Sequence, residues 1–231
     1  MLSVEYVEEG TKKGASIVIV QQLKLEEHKV ITIEPTASLK ELLEVLERCG
    51  YQHIPVVADG VFYGMAGYSE VYKAFFDSAL DKQAFLAGTK VESVTINKNA
   101  TISEEGNMEE IFKKIDYVPF LAVLDGESHF NGILLKSTLF DMLRDALGMH
   151  KPGIRLTVSM PEMKGVLGKF SEVVKDYSNI FGMLVLDDNT NFGYRRVSFK
   201  VAPETDIEAL TEDLKHIGVR VFHVTPVVQS I

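Results

Sequence analysis

The apolar positions of the chain change period several times, and each change marks an element. Val30-Ile31-Thr32-Ile33 is a short apolar run of strand length, whereas Leu39, Leu42, Leu43 and Leu46 fall three or four residues apart, the stripe of an amphipathic helix. Ser38 stands where that helix needs an N-cap, with Glu41 three residues on as its reciprocal partner, and Gly50 ends it after Cys49. Tyr51 to Gly60 then reads as an apolar strand closing on an Asp-Gly turn. Gly64 to Gly67 reads as a further strand that runs into a helix over Tyr68 to Phe76.

This order returns once. Tyr51-Gln-His-Ile-Pro-Val-Val-Ala-Asp-Gly60 lies over Tyr117-Val-Pro-Phe-Leu-Ala-Val-Leu-Asp-Gly126, so that Tyr, Val, Asp and Gly recur 66 positions apart. The pattern predicts a strand at Val94-Thr-Ile96 and a helix from about Glu104 to Ile115 before the second copy. A strand at Gly132 to Leu135 and a helix over Ser137 to Leu147 follow it. The unit is β-α-β-β-α, repeated. Lys151-Pro-Gly153 interrupts the pattern, and a different one follows. Strands at Arg155 to Ser159, Met183 to Leu186, Tyr194 to Val201 and Val219 to Val227 alternate with helices at Gly165 to Tyr177 and Asp206 to Ile217, in the split βαββαβ order. The expected divisions are residues 1–82, 83–150 and 153–231.

Composition narrows the function classes. No run reaches the ~20 apolar residues of a membrane span, and Met1 to Gly10, with Glu5, Glu8 and Glu9, has no export pattern, so a cytoplasmic protein without a membrane partner is expected. A net charge of −9 with no offsetting basic run disfavours nucleic acid. Cys49 is the only cysteine, which excludes an intrachain disulfide and reads as a packed thiol. The six histidines show no helical pair that would hold a metal, and the catalytic loops of phosphate-binding, zinc-peptidase and serine-hydrolase sequences are absent. Gly14-Ala-Ser-Ile is too short for a phosphate loop, and the carboxylates at Glu26-Glu27, Glu104-Glu105 and Asp187-Asp188 sit in turn-like contexts. The expectation is a protein that is not an enzyme and carries no metal or cofactor.

The repeat resembles tandem CBS domains, which pair into a Bateman module and bind adenosine nucleotides between the repeats. The residues that carry the likeness are Tyr51-Gln-His-Ile-Pro-Val-Val57 and Gly64-Met-Ala-Gly-Tyr-Ser-Glu70, the latter in place of that family's Gly-φ-φ-Thr-x-x-Asp ribose segment. The last part resembles an ACT domain, with Glu162-Met-Lys-Gly165-Val-Leu167 where that family has Asp-Arg-Pro-Gly-φ-Leu. The order CBS-CBS-ACT occurs in bacterial regulatory proteins such as acetoin-utilisation proteins and a group that binds cyclic di-AMP. Small CBS members of the second group are similar at Lys29-Val30, at Phe120-Leu-Ala-Val123 and at the basic pair after the second Gly-Ile segment, here Lys136-Ser137 with one cation kept.

The fold expected from this resemblance is α+β: two CBS-type repeats as a Bateman module, then a ferredoxin-like ACT domain. It implies a homodimeric sensor that takes cyclic di-AMP, AMP or ATP and relays its occupancy to the ACT domain or to an unidentified regulated protein. An adenine ring needs an apolar slot, which Ile54, Pro55, Val118 and Phe120 would wall, with stacking on Phe120 or Tyr68; Thr32 and His53 are further candidates for ligand contact. Phosphates need cations and hydroxyl donors, for which Lys29, Lys136, Ser69, Ser137 and Thr138 are the candidates. The ribose position is Glu70 in the first copy and Thr138 in the second, a departure that favours cyclic di-AMP, whose 3′-hydroxyl is tied into the ring. Glu162, Lys164, Gly165 and Val166 are the residues an ACT amino-acid site would use. Two other readings stand beside the nucleotide sensor: a dimerisation or docking scaffold that has lost ligand binding, and an amino-acid sensor acting through the ACT-like part.

Overall fold

The computed structural model describes residues 19–187 and 193–227. The readings at Met1 to Gly10, at Gly14 to Ile17 and at Asp188 lie outside the described residues. The chain divides into two compact units, one ending at Thr138 and the other beginning at Leu139.

The first unit opens with α1 (Ile19–Leu23), β1 (Leu25–Glu26) and a 3-10 turn over Glu27–Lys29, followed by α2 (Leu39–Cys49), β2 (His53–Ala58), β3 (Val61–Gly67) and α3 (Tyr68–Phe76). The N-terminus of α2 is fixed as the sequence requires. Glu41 N–H donates to Ser38 Oγ, Ser38 N–H donates back to the Glu41 carboxylate at 2.7 Å, and Gly50 closes the helix at φ +71°. These bonds hold the exposed Glu41 carboxyl below the usual carboxylate range. Leu39, Leu42 and Leu46 enter a core with Ile33, Ile54, Val56, Ala66 and Val71.

A helix that the pattern did not announce, α4 (Lys82–Gly88), follows and is capped by Asp81, whose carboxylate accepts from Gln83 N and Ala84 N. It sends Phe85 into the same core. A 3-10 turn (Val91–Val94) leads to the second copy: β4 (Thr101–Ser103), α5 (Met108–Ile115), β5 (Phe120–Leu124), β6 (Phe130–Leu135) and α6 (Lys136–Ala146), whose first three residues close the unit.

Three readings need correction. Val30 to Ile33 is not a strand; it meets the sheet only at Ile33, which forms a single parallel bridge with Val56. Its counterpart in the second copy is not Val94 to Ile96 but β4, which runs parallel to β5 through Thr101↔Ala122. Helix α5 begins at Met108 rather than near Glu104, because Asn107 is the cap that accepts from Glu110 N. The polar stretch Glu104 to Gly106 is a turn.

What Val94 to Ile96 does instead explains how the two copies hold together. Ile96 exchanges both backbone hydrogen bonds with Met65 at 2.9 Å, and Leu25 pairs with Ile133. The lead-in of each copy therefore joins the last strand of the other. At both crossings the facing chain carries a glycine with a left-handed φ, Gly64 at +138° and Gly132 at +129°. A Cβ on Gly64 would stand 2.4 Å from Ile96 O, and one on Gly132 2.2 Å from Leu25 O, so only glycine admits the neighbouring backbone. The two glycines are 68 apart rather than 66 because the second hairpin has two more residues between its turn aspartate and its glycine, seven steps from Asp125 to Gly132 against five from Asp59 to Gly64.

The second unit continues with β7 (Gly153–Pro161), α7 (Val166–Val174), β8 (Gly182–Asp187), β9 (Tyr194–Val201), α8 (Ile207–His216) and β10 (Arg220–Val227). Its sheet is antiparallel in the order β10-β7-β9-β8, the arrangement expected of a split βαββαβ unit. Leu156, Val158, Met160, Val197, Phe199 and Val201 face Phe170 and Val174 of α7 and Leu210 and Leu214 of α8 in one core. On the opposite face Lys200 is fully buried. Its Nζ donates to Gly148 O at 3.0 Å and to Lys151 O, and Arg155 donates to Leu147 O. Burial and the nearby Arg155 guanidinium push the Lys200 pKa down.

The crossings yield a stability prediction. Gly64→Ala and Gly132→Ala are each expected to destabilise by about 2 kcal/mol or more, read from the urea midpoint, since each adds a backbone collision to an unfavourable φ. Gly88→Ala, whose Cβ would meet nothing within 4 Å, is the control and is expected to stay within about 0.5 kcal/mol. Equal effects at all three would show that the crossings are not constrained.

Candidate functional site

Each copy ends in the same local construction, which places its candidate residues. In the first, Tyr68 N–H donates to Gln52 O at 3.3 Å; in the second, Lys136 N–H donates to Pro119 O at 2.9 Å. The strand-to-helix junction is thereby tied to the segment before β2 or β5, and Tyr68, Ser69 and Glu70 stand in one copy where Lys136, Ser137 and Thr138 stand in the other. Gly67 makes the first junction possible, for a Cβ there would lie 2.2 Å from Gln52 O and 2.6 Å from His53 Cδ2.

At this junction His53 and Glu70 meet. His53 Nε2 lies 3.0 Å from Glu70 Oε2, a distance that forms an ion pair when the imidazole is protonated. Beyond this contact, Oε2 is buried without a hydrogen-bond partner among the described residues. Ser69 Oγ donates to the other oxygen, Oε1, at 2.7 Å. Glu70 lines a cleft of about 240 Å³ with Lys73 and Ala74 of α3, with Asp77 that caps that helix, and with Ser93 to Ile96, the lead-in of the second copy. It is thus a cleft between the repeats. The pattern had not singled out Lys73 and Asp77, although with Glu70 they share the i, i+3, i+7 face of α3, a spacing readable from the sequence. Ser93 to Ile96 could not be placed there without knowing that the copies exchange lead-ins.

The apolar candidates are placed differently. Ile54 is fully buried, Pro55 is buried, and Val118 and Phe120 are 8% and 2% exposed. Their side chains belong to the core, and Pro55 offers its carbonyl to Ile33 N–H at 3.0 Å. Tyr68 is half-buried and stacks on Tyr72 at a centroid distance of 6.1 Å. Burial, with Glu47 nearby, raises the pKa of its phenol.

Of the two lysines, Lys29 ends the exposed 3-10 turn beside β6, and Lys136 opens α6 at the end of that strand. Lys136 Nζ donates to Asp116 O at 2.6 Å and so caps the C-terminal end of α5. Ser137 is exposed and Thr138 half-buried. Thr32 is exposed and lines a different cavity of about 580 Å³, together with Glu34, Glu41, Glu44 and Arg48 on the outer side of α2. Three carboxylates against one guanidinium make that cavity a poor seat for phosphate.

In the second unit Glu162, Lys164 and Val166 are brought together. They line a largely apolar cavity of about 430 Å³ with Met160, Pro161, Met163, Leu167, Val185 and Arg195. Gly165 takes φ +82° at the head of α7. The residue missing from the sequence reading is Arg195, which bonds Glu162 Oε1 at 2.6 Å and also the Asp187 carboxylate. Among the described residues no group of three or more His, Cys, Asp or Glu is placed to hold a metal ion, and no helix is long and apolar enough to cross a membrane.

Comparison with known families locates one domain within the first unit. Residues 24–77 match the CBS domain. No curated protein matches the chain. Among solved structures, a hypothetical conserved protein from Geobacillus kaustophilus is 24% identical, with a TM-score of 0.50, over 54% of this chain and 95% of its own. CbpB from Streptococcus agalactiae is 19% identical, also at 0.50, over 61% and 92%. CbpB from Listeria monocytogenes, solved in complex with c-di-AMP, is 24% identical at 0.49 over 54% and 94%. The first two likenesses establish a shared fold.

The cap on Asp116 O gives a test of what Lys136 does in the free protein. Lys136→Met is expected to lower stability by about 1–2 kcal/mol by urea unfolding, the size of a charge-assisted hydrogen bond. An unchanged midpoint would mean that the ammonium is not engaged there.

Proposed function

We propose, starting from a CBS domain at residues 24–77, that the chain is a non-catalytic sensor of an adenine nucleotide, seated in the cleft between the repeats, with cyclic di-AMP as the first candidate. The observation that carries this reading is Glu70. Apart from the His53 imidazole at 3.0 Å, its Oε2 is a buried acceptor without a hydrogen-bond partner among the described residues, beside a cleft between the copies, and a ribose hydroxyl is a donor of the right kind to complete it. Oε1 is already taken by Ser69, so one oxygen is left for one hydroxyl. The riboses of cyclic di-AMP have only the 2′-hydroxyl free, whereas AMP and ATP present two.

Lys29 and Lys136 would meet the phosphates, and Ser137 and Thr138 would add hydroxyl donors. The cleft of about 240 Å³ is smaller than the roughly 300–1,000 Å³ of typical small-molecule sites, so a whole dinucleotide extends beyond it toward the second junction. In this reading the protein is a cytoplasmic homodimer with domains at residues 1–82, 83–150 and 153–231. The last is an ACT-like domain that receives the signal or passes it to a regulated protein.

Calorimetric titration with cyclic di-AMP, AMP and ATP tests the proposal. Micromolar binding of cyclic di-AMP is expected, weakened about ten-fold or more in Glu70→Gln and in Lys29→Ala, the range of one charge-assisted contact. Absence of heat with all three from a folded protein would overturn it in favour of a docking scaffold. Tighter binding of AMP or ATP would overturn the choice of the cyclic ligand.

A second reading rests on the cavity beside Glu162. It is apolar, of ligand size, and flanked by Lys164 and Arg195, which suits a hydrophobic amino acid. Titration with leucine, isoleucine, valine and methionine is expected to show binding that Leu167→Asp abolishes. No binding of any of the four excludes the amino-acid sensor.

A further inference from the structure

The two faces of the βαββαβ sheet differ in chemistry. One is the apolar core described above, and the other is built from the alternate residues. On β7 these include Thr157 and Ser159, and on β9 Arg196 and Ser198. Along one rung the register is Arg220↔Ser159 and Ser159↔Arg196, so a serine on the central strand lies directly between two arginines of its neighbours. With strands ~4.8 Å apart, the arginine backbones stand ~10 Å from each other, within mutual side-chain reach of one small group above the serine.

Three features of this rung point to a ligand. Ser159 is only 1% exposed, and its Oγ has no hydrogen-bond partner among the described residues, although a buried hydroxyl ordinarily finds one. Arg196 and Arg220 are exposed and form no ion pair among the described residues, whereas the adjacent Arg195 is held by two carboxylates. The strand residues on this face include no Asp or Glu among those described, in a chain of net charge −9. Two unneutralised guanidinium groups flanking a hydroxyl donor form the complement of a tetrahedral oxyanion.

We propose that this rung is a binding site for a phosphoryl group, held by Arg196 and Arg220 and hydrogen-bonded by Ser159 Oγ. It lies on the second unit, is separate from the cleft at Glu70 and does not depend on the nucleotide reading.

The test uses the full chain at low ionic strength, titrated with inorganic phosphate and, in a second arm, with AMP, each followed by ³¹P line broadening. Phosphate is expected to bind, with affinity falling as NaCl is raised. Arg196→Gln and Arg220→Gln should each weaken binding about ten-fold or more, and Ser159→Ala by a few-fold. Both arginines are exposed and Ser159 Oγ is unpartnered, so the variants are expected to fold, as checked by their urea midpoints. Glu70→Gln should leave phosphate binding unchanged, which separates this site from the cleft. Tighter binding of AMP than of phosphate, lost in the arginine variants but kept in Glu70→Gln, identifies the phosphoryl group of a larger molecule as the occupant; equal binding identifies free phosphate. No phosphate binding, or binding indifferent to both arginines, overturns the proposal.

Discussion

The first unit depends on two places where one backbone passes against another with no room for a side chain. Leu25 crosses at Gly132 and Ile96 crosses at Gly64, each within a distance that a Cβ would close. Because each crossing joins the lead-in of one copy to the last strand of the other, neither copy completes its sheet alone. Buried peptide groups must be paired, and here the partner comes from the other repeat. The pairing of the copies is therefore a consequence of hydrogen-bond supply as well as of sequence repetition.

The same exchange makes the site. The lead-in Ser93 to Ile96 forms one wall of the cleft whose other wall is the face of α3 bearing Glu70, so the candidate pocket exists only in the paired module. The two junctions share a backbone construction but differ in chemistry. One presents His53 and an acidic Glu70 with an unsatisfied oxygen, and the other presents Lys136, committed to the end of α5.

In the second unit, charge is placed where no counter-charge is supplied. Lys200 and Arg155 are satisfied by the carbonyls of Leu147, Gly148 and Lys151, neutral dipoles in the segment that follows α6, rather than by carboxylates. Such an arrangement meets the hydrogen-bonding need of a buried cation while leaving its charge uncompensated, and the lowered pKa of Lys200 records that cost. The positive character of this sheet face follows from the same choice of residues on alternating positions.

Much of this was legible in the sequence because it is local. The Ser38–Glu41 box, the Gly50 stop, the Asp206 cap and the strand-helix order of the last 75 residues or so depend on neighbours within four positions, which a linear pattern reports. The His53 and Glu70 pairing was accessible as two candidates on two motifs of one repeat, though not as a contact. What only tertiary structure decided was long-range. Ile54 and Phe120, apolar residues in a strand pattern, look alike whether they wall a ligand or fill a core, and packing put them in the core. Val94 to Ile96 looks like the first strand of a repeat, and the exchange of lead-ins made it a partner of Met65 instead. A sequence records the tendency of each residue to be buried or paired; the identity of the partner is set by which backbones can approach, and that is fixed only when the two copies close on each other.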